Sequence, residues 1–396
     1  MIILIAEDDR VTRRKLARFL GKMGHEVIEA GDGREALEAF SRGPIPIVIT
    51  DWDMPNMDGL ELVREIRKES GREYVYIIML THKDAKADLI ASMDAGVDDF
   101  AVKPIELDEL RVRLRAGQRI IELEQNLSRR NAQLQKANAE MKASLNAAAE
   151  IQAALLPASA PDLDGMRVTW RFRPCDELAG DVFNVFELRP GLLAFYVLDV
   201  CGHGVPAALL SVTLSRLLTP IPDQGSLLLT PAENERGYAI TPPVQVVDTL
   251  NKRFQIEKNG EQYFTMVYGT IDLVTRTLNY VSAGHPGAVH LPRGAAARLL
   301  DVRSLPVGFV EEAGYRENKL QLGHGDRLFL YSDGVTEAAS PEQDLFGVDR
   351  FISAVSETRD LPLDGSLDEL ITRTEAWCGS SSFKDDLTIL ALEIKG

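Results

Sequence analysis

Cysteine is scarce in this chain. Its 396 residues include three, Cys175, Cys201 and Cys378, which show no Cys-x-x-Cys spacing and leave one thiol over. Zinc sites and disulfide frameworks need cysteines in close or even-numbered sets, so neither is predicted. This usage favours a reducing compartment, and we expect the protein in the cytoplasm.

The sequence also lacks a long apolar run. The opening run, 1–6, is shorter than the core of a signal peptide and meets acidic residues at once. No later run approaches the length of a membrane span. We therefore expect neither a secretory signal nor an association with a membrane.

Basic residues do not balance the acidic ones. The chain has 44 Lys and Arg against 60 Asp and Glu, a formal net charge of −16. Proteins bind phosphate backbones through an excess of Lys and Arg, so no nucleic-acid partner is predicted. No basic recognition helix is apparent, which argues against a DNA-binding regulator. The length predicts two or three globular domains.

Proline is absent between Leu107 and Leu156, and glycine nearly so. Apolar residues recur there at alternating steps of three and four, the spacing of a two-stranded coiled coil. The stronger row consists of Ile120, Leu127, Leu134, Met141, Ala148 and Leu155. The other row is interrupted by Arg130 and Ser144, so its pairing should be weak or adjustable.

A straight helix of this length would measure about 75 Å at ~1.5 Å per residue, more than one small domain can cover. We therefore predict a helical coiled-coil linker over 119–156 that pairs with a second copy to give a homodimer. The alternative is an amphipathic helix that packs on its own chain. Pro157 is expected to end the helix.

The segment 1–118 alternates short apolar runs with helical stretches, the pattern of a doubly wound parallel α/β sheet. The predicted strands are 2–6, 45–50, 76–80 and 99–102, and the predicted helices are 11–22, 33–40, 59–69 and 85–95. Functional groups gather at the carboxyl ends of such strands. The residues at those ends are Glu7, Asp8, Asp9, Asp51, Thr81 and Lys103.

This set predicts an acidic pocket with one hydroxyl and one ammonium. Crowded carboxylates require a cation, and a small number of oxygen ligands suits Mg2+. A metal, a lysine and a carboxylate nucleophile are the groups needed to transfer a phosphoryl group onto an aspartate. The alternative for any single aspartate is a solvated acidic loop.

Residues 1–118 resemble a response-regulator receiver domain, and the Asp51-Trp52-x-Met54-Pro55 segment is similar to that of the single-domain chemotaxis regulator. The resemblance implies that Asp51 accepts the phosphoryl group from a sensor histidine kinase or a phosphotransfer protein. The implied Mg2+ ligands are Asp8, assisted by Glu7, together with Asp51 and the carbonyl of Asp53. The implied switch residues are Thr81, Phe100 and Lys103. Asp9 lies one place beyond the acidic pair and is therefore not included among the implied Mg2+ ligands. His82 is expected to be a surface residue and not a second phosphorylation site.

Past Pro157 the pattern changes to that of a mixed, β-rich domain spanning 157–396. The predicted strands are 193–199, 265–273, 277–282, 327–332 and 387–394, and the predicted helices are 205–218 and 244–254. Aspartates lie beside several of these elements, at positions 181, 199, 333, 385 and 386. Carboxylates without histidine or thiol partners favour Mg2+ or Mn2+, and two such ions can activate water for attack on phosphorus.

Seven motifs follow one another in this domain. They are Ala179-Gly180-Asp181, Asp199-Val200-Cys201-Gly202-His203-Gly204, Ser282-Ala283-Gly284-His285-Pro286, Leu305-Pro306-Val307-Gly308, Tyr331-Ser332-Asp333-Gly334-Val335-Thr336-Glu337-Ala338, Leu345-Phe346-Gly347 and Asp385-Asp386-Leu387-Thr388. Their order resembles the bacterial PPM-type, metal-dependent serine/threonine phosphatases of the sporulation and general-stress class. That resemblance implies an αββα sandwich with two Mn2+ or Mg2+ ions.

The resemblance also assigns the ligands. Asp199 would bridge both ions, Asp333 and Asp385 would complete one site, and Asp181 with the carbonyl of Val200 would support the other. The same three residues, Asp199, Asp333 and Asp385, would be catalytic.

Other positions depart from the family pattern or stay open. Asn184 replaces an acidic residue, and Cys201 is expected to be a buried neighbour of the site. His203 and His285 would either shape their loops or transfer protons. Residues 219–243 are expected to form a long surface loop next to the site.

The sequence therefore predicts a two-component response regulator with a phosphatase output. Its implied substrate is phosphoserine or phosphothreonine on an anti-anti-sigma-factor-like protein. The alternative is a non-catalytic adaptor that grips a sigma factor or another partner through a phosphatase-like domain. Retention of Asp181, Asp199, Asp333 and Asp385 favours the enzyme, because an adaptor has no need to keep all four.

Overall fold

A computed structural model describes residues 1–68, 74–82, 93–157, 159–160, 163–221, 225–233, 237–258, 260–381 and 383–395. The chain forms two compact units, Met1–Glu140 and Met141–Gly396. Neither unit, in its described residues, contains a helix long and apolar enough to cross a membrane. The domain boundaries expected near 118 and 156 stay a prediction.

The first unit is built on a parallel sheet in the order β2-β1-β3-β4-β5. Its strands are β1 (Ile2–Ala6), β2 (Glu26–Ala30), β3 (Ile47–Asp51), β4 (Tyr76–Thr81) and β5 (Asp99–Val102). Four of them were predicted. The edge strand β2 was missed because only Ala30 is fully buried, so its sequence carries no strong apolar pattern.

Helices cover both faces of this sheet. They are α1 (Arg10–Lys22), α2 (Gly33–Ser41), α3 (Gly59–Lys68) and α4 (Leu107–Ala153). Two aspartates start helices, since Asp9 accepts a hydrogen bond from the Thr12 amide at 2.8 Å and Asp32 from the Glu35 amide at 2.9 Å. Asp9 is thus a helix cap. The helix expected over 85–95 falls mostly outside the described residues.

Helix α4 has 47 residues and changes character along its length. Near its start, Leu110, Leu114 and Ile121 are buried in the core of the first unit. Farther along, Leu127 and Leu134 of the stronger apolar row are 54% and 61% exposed. The helix ends at Ala153, before the expected stop at Pro157, and a turn continues to residue 156.

The second unit is a sandwich of two five-stranded antiparallel sheets, ordered β15-β12-β11-β8-β7 and β14-β13-β16-β17-β6. Its strands are β6 (Met166–Arg173), β7 (Val182–Arg189), β8 (Leu192–Val200), β9 (Leu229–Pro231), β10 (Tyr238–Ile240), β11 (Phe264–Asp272), β12 (Thr277–Ala283), β13 (Ala288–Leu291), β14 (Arg298–Leu300), β15 (Asn318–Gln321), β16 (Arg327–Tyr331) and β17 (Leu387–Ile394). Its helices are α5 (Val205–Leu217), α6 (Pro243–Arg253), α7 (Asp333–Thr336), α8 (Val348–Glu357) and α9 (Leu363–Cys378).

Three apolar cores hold these layers together. One packs α5 and α6 against the β8 and β11 sheet, a second fills the space between the sheets, and a third packs α8 and α9 against the β16 and β17 sheet. Burial on both faces explains why β8, β11 and β17 read as apolar runs. The layers form the αββα sandwich that was expected.

The expectation of a long surface loop over 219–243 is wrong in part. Strands β9 and β10 pair there as a short antiparallel hairpin. Leu228 is fully buried and Leu229 nearly so, both in the core beneath α5 and α6. The polar, proline-rich composition concealed these few apolar anchors.

Candidate functional site

The first unit brings an acidic cluster and one lysine to a single edge of its sheet. The Lys103 Nζ atom lies 2.7 Å from Asp51 Oδ2 and 2.7 Å from Glu7 Oε2. Carboxylate oxygens of Glu7, Asp8 and Asp51 lie within 4.8 Å of one another, as an ion shared by them requires. The parallel strands β1, β3 and β5 produce this meeting, because their carboxyl ends share one edge.

The charges of this cluster balance only in part. Burial raises the pKa of Glu7. The hydrogen bond from Lys103 lowers this pKa, and the nearby charge of Asp51 raises it further. Burial, the largest single effect, opposes the charge of Lys103. The hydrogen bonds to Asp51 and Glu7 and the charges of these carboxylates together outweigh burial and raise the pKa of the ammonium. Three carboxylates against one ammonium leave the pocket negative, which suits a divalent cation.

The remaining predicted residues lie around this pocket. Asp53 and His82 help to line a cavity of about 570 Å3 that also contains Lys103. Thr81 is buried at the end of β4, where its carbonyl accepts the Lys103 amide at 2.8 Å. Phe100 lies on β5 with the guanidinium carbon of Arg113 5.7 Å from its ring centre.

Sequence reasoning missed the role of Arg13. Its Nη1 atom donates to the Glu7 carbonyl at 2.5 Å and to the Asp8 carbonyl at 3.2 Å. These contacts fix the backbone of the acidic pair. Its position on the inner face of α1, six residues past Glu7, was the available signal.

In the second unit, one sheet supplies two of the predicted carboxylates. Asp181 directly precedes β7 and Asp199 is next to last in β8. The ladder pairs Val182 with Leu198, so the two aspartates come from neighbouring strands at the same edge. Val200 ends β8, and a Cβ atom on Gly180 would lie 2.9 Å from its carbonyl oxygen.

The other sheet supplies the second pair. Asp333 begins α7, two residues after β16, and Asp385 lies two residues before β17. These strands are antiparallel neighbours, and Tyr331 pairs with Ile389 where they meet. Gly334 permits the close approach, because a Cβ atom there would lie 2.1 Å from the Asp386 carbonyl oxygen.

Side chains of β17 join the two sheets at this edge. The Thr388 hydroxyl donates to Asp181 Oδ2. The Asp386 carboxylate accepts the Gly180 amide at 2.7 Å and the Cys175 amide at 2.9 Å. Sequence reasoning placed Asp386 in a motif without a role. The fold makes it the anchor of the loop that carries Asp181.

The electrostatics of these carboxylates fit bound cations. Burial, followed by the charges of Asp333 and Asp385, raises the pKa of Asp199 to about 8. Burial and Asp385 raise the pKa of Asp333 to about 6. Burial and then Asp199 raise the pKa of Asp181 well above its usual range, and its buried Oδ1 atom has no hydrogen-bond partner among the described residues. Divalent ions would satisfy that oxygen and neutralise the cluster.

The two histidines near the site have different environments. His203 is exposed, and its Nδ1 atom lies 3.2 Å from Asp176 Oδ2. His285 is buried, its Nδ1 atom lies 2.8 Å from the Thr265 hydroxyl, and burial lowers the pKa of its ring to about 3. A ring with that pKa stays neutral near pH 7, so His285 is a poor proton donor there. The loop-shaping and proton-transfer roles expected of the two histidines stay predictions.

The two departures from the family pattern also have definite positions. Cys201 is exposed, so the expectation that it is buried is wrong. It follows the end of β8, where the chain leaves the core. The Asn184 side chain accepts its neighbour's amide, from Val185, at 2.8 Å.

Comparisons with known proteins agree with both units. Residues 3–115 match the response regulator receiver domain, and residues 189–395 match Stage II sporulation protein E (SpoIIE). The chain is similar to the response regulator MprA of Mycolicibacterium vanbaalenii, with 41% identity over 29% of this chain and 48% of that protein. It is also similar to the phosphoserine phosphatase RsbP of Bacillus subtilis, with 28% identity over 44% of this chain and 40% of that protein.

One solved structure shares the fold of the second unit. The SiaA-PP2C domain of Pseudomonas aeruginosa superposes with a TM-score of 0.54 at 20% identity, over 65% of this chain and 99% of that one. The chain spans about half or less of the curated relatives' own length. The SpoIIE match extends over more than half of the 396 residues. The chain therefore belongs to the Stage II sporulation protein E (SpoIIE) family and carries a response regulator receiver domain at its amino-terminal end.

Proposed function

We propose that this protein is a response regulator whose output is the metal-dependent hydrolysis of phosphoserine or phosphothreonine on a protein. The proposal is supported by two observations: Asp181 and Asp199 lie at the ends of neighbouring strands, and the charges of Asp333 and Asp385 act on Asp199. The buried Oδ1 atom of Asp181, which has no hydrogen-bond partner in the part of the chain that the structure describes, gives this cluster a cation-binding character. A non-catalytic adaptor would not need these groups together.

Asp199, whose pKa is raised by burial and then by the charges of Asp333 and Asp385, would contribute to holding both of two Mn2+ or Mg2+ ions. Asp333 and Asp385 complete one site, and Asp181 with the Val200 carbonyl supports the other. Bound ions supply a water nucleophile at neutral pH and neutralise the phosphoryl oxygens. Asp386 and Thr388 orient Asp181 through the hydrogen bonds described above.

His203 is the group best placed to protonate the departing seryl oxygen. It is exposed at the rim of the site, and Asp176 at 3.2 Å holds the ring through Nδ1. The charge of His203 lowers the pKa of Asp385 against the larger effect of burial, so the ring lies near the carboxylates that would bind the metal ions. A positioned general acid of this kind contributes about a hundredfold or more to a rate.

The receiver domain regulates this output in our proposal. Asp51 accepts a phosphoryl group from a sensor histidine kinase or a phosphotransfer protein. Glu7, Asp8, Asp51 and the Asp53 carbonyl hold Mg2+. Lys103 and Thr81 bind the phosphoryl oxygens, and Phe100 responds as the switch residue. The 2.7 Å contact between Lys103 and Asp51 supports this assignment, because an ammonium beside the acceptor can form an ion pair with the oxygens of the added phosphoryl group.

Helix α4 would pair two copies of the chain as a coiled coil. Its support is the exposure of Leu127, Leu134 and Met141, large apolar residues in one heptad row. Light scattering after size exclusion should report a dimer, and the double change Leu127→Glu and Leu134→Glu should give a monomer. Gln133→Glu and Gln135→Glu on the same helix are the matched control. A monomeric wild type would contradict the homodimer.

The substrate that we propose is an anti-anti-sigma-factor-like phosphoprotein. The similarity to the phosphoserine phosphatase RsbP supports a phosphoserine substrate. The anti-anti-sigma-factor-like class follows from the motif resemblance described in the sequence analysis. The decisive experiment incubates the purified chain and Mn2+ with such a phosphoprotein and measures released phosphate. It is run with and without acetyl phosphate as donor for Asp51. Release that depends on Mn2+ supports the enzyme. Tight binding without release would support the adaptor.

A further inference from the structure

An exposed aromatic side chain stands on a rigid support beside the candidate catalytic cluster. Phe309 is 49% exposed in the loop between β14 and β15. Single exposed apolar residues are common on proteins and usually carry no meaning. Two features distinguish Phe309 from such residues: the way its backbone is fixed, and what its ring contacts.

One buried side chain fixes the backbone on both sides of Phe309. Asn251, on α6, is 2% exposed. Its Oδ1 atom accepts the Gly308 amide at 2.7 Å, and its Nδ2 atom donates to the carbonyls of Val310 and Glu311 at 2.9 and 3.0 Å. A loop fixed in this way loses little conformational freedom when a partner binds.

Gly308 adds a steric constraint. Its φ angle is +89°, and a Cβ atom there would lie 2.0 Å from the Phe254 carbonyl oxygen. The preceding residue, Val307, exchanges backbone hydrogen bonds of 2.8 and 3.2 Å with Phe264 at the start of β11. The loop is therefore attached to the strand beside the one that carries Asp199.

The Phe309 ring is continuous with the catalytic rim. It meets the Tyr263 ring edge-on, with centres 5.7 Å apart and planes at 77°. The Tyr263 carbonyl accepts the Cys201 amide at 3.0 Å. The pKa of Tyr263 is raised first by the Cys201 side chain, with smaller contributions from burial and the charge of Asp199. Phe309 thus contacts Tyr263, and Tyr263 contacts Cys201, which lies two residues after Asp199.

We infer that Phe309 and Tyr263 form a docking surface for an apolar side chain close in sequence to the phosphorylated residue of a protein substrate. The inference rests on the proposed phosphatase function and names a determinant of its specificity. Rigid aromatic residues in such positions supply much of the energy of protein recognition. The occupant is a substrate segment because the surface leads directly into the catalytic cluster. An extended peptide advances about 3.3 Å per residue, so neighbours of a bound phosphoserine pass over this rim.

The test compares three substrates: para-nitrophenyl phosphate, a phosphoserine peptide with leucine on both sides, and the same peptide with glycine on both sides. Steady-state rates are measured for the full chain with Mn2+ and for Phe309→Ala. The matched control is Val274→Ala, which removes an exposed apolar side chain from the β11–β12 turn.

We expect the wild type to prefer the leucine peptide and Phe309→Ala to lose that preference. For the leucine peptide, kcat/KM of Phe309→Ala should fall about tenfold, which corresponds to about 1.4 kcal/mol. The fall should come from a higher KM. Rates of Phe309→Ala with para-nitrophenyl phosphate should stay within about twofold of the wild type. The substitution removes a contact to the peptide that is equally strong in the bound substrate and in the transition state, and it leaves the groups that carry out hydrolysis in place. Phe309→Leu should restore part of the preference.

Two results would overturn the docking surface. Equal losses on all three substrates would make Phe309 a structural residue, and unchanged rates on all three would make it an idle one. If the wild type hydrolyses none of them, the proposed function fails separately. The docking surface is then judged by the fluorescence anisotropy of a labelled leucine peptide. Equal binding to the wild type and Phe309→Ala would reject it.

Discussion

Gln152 and Ala179 exchange two hydrogen bonds across the second unit. The Gln152 Nε2 atom donates to the Ala179 carbonyl at 2.7 Å, and its Oε1 atom accepts the Ala179 amide at 3.1 Å. Nε2 also lies 3.1 Å from the buried Ser211 hydroxyl on α5. Gln152 occupies the last turn of α4, and Ala179 stands two residues before Asp181. The end of the long helix is therefore attached to the loop that carries a candidate metal ligand.

We predict that Gln152→Ala weakens this attachment and lowers phosphatase activity about tenfold, since two hydrogen bonds together contribute roughly 1–3 kcal/mol. Mn2+ titrations of the rate should show a raised half-saturation concentration. Gln135→Ala, at an exposed position of the same helix, is the control and should leave the titration unchanged. An unaltered Mn2+ dependence in Gln152→Ala would show that the contact does not position Asp181.

Asp199→Asn and Asp333→Asn should each lower the turnover of para-nitrophenyl phosphate about a thousandfold, because each change removes a carboxylate that would hold the ions proposed to activate water. Chelation with EDTA should abolish wild-type turnover, and added Mn2+ should restore it. Asp349→Asn, a change in the first turn of α8, should have no effect. Turnover that resists chelation would contradict the metal assignment.

The raised pKa values predict how the metal-free protein responds to pH. Asp199 titrates at about 8 in the folded chain and near 4 when unfolded, so between these values the folded state holds the extra proton. Stability from this group is present at low pH and is lost as the pH rises toward 8. In EDTA, Asp199→Asn should therefore melt above the wild type at pH 8, and the difference should shrink at pH 5. A constant difference in melting temperature would show that Asp199 ionises normally.

Acetyl phosphate should label the protein in a Mg2+-dependent way. Asp51→Asn should abolish the label and leave circular dichroism and the basal hydrolysis of para-nitrophenyl phosphate unchanged, because the acceptor lies in the other compact unit. Asp58→Asn, seven residues along the same segment, is the control and should still be labelled. Label that persists in Asp51→Asn, or moves to His82, would contradict the phosphoacceptor assignment.

Coupling through α4 depends on its rotation. Four residues inserted near Asn138 advance the helix by about 400° at ~3.6 residues per turn, which leaves an offset of roughly 40°. We expect basal hydrolysis to survive while its response to Asp51 phosphorylation disappears, since a coupling element needs two defined arrangements. A seven-residue insertion keeps the heptad register and should keep the response. A response that survives the four-residue insertion would make the helix a passive tether.

The sequence by itself determined the kinds of element and most of the chemistry. Buried strands such as β1, β8 and β17 read clearly because both faces are covered, and short carboxylate motifs mark their ends. The edge strand β2 and the short strand β9 were not predicted, because brief apolar stretches in polar surroundings carry little periodicity. The heptad pattern predicted a helix over most of α4, but the pattern alone does not show which residues cover the apolar row of that helix.

The tertiary structure alone decided which groups act together. No local pattern indicates that Asp386 holds the loop of Asp181, that Gln152 reaches Ala179, or that Asn251 fixes the loop of Phe309. These contacts join residues between 27 and 206 positions apart. Such partners are set by how helices and strands that are far apart in sequence pack together in the tertiary structure. Exposure was decided there too: Cys201 lies where β8 leaves the core, so its side chain faces solvent, while His285 is enclosed between the sheets and held neutral.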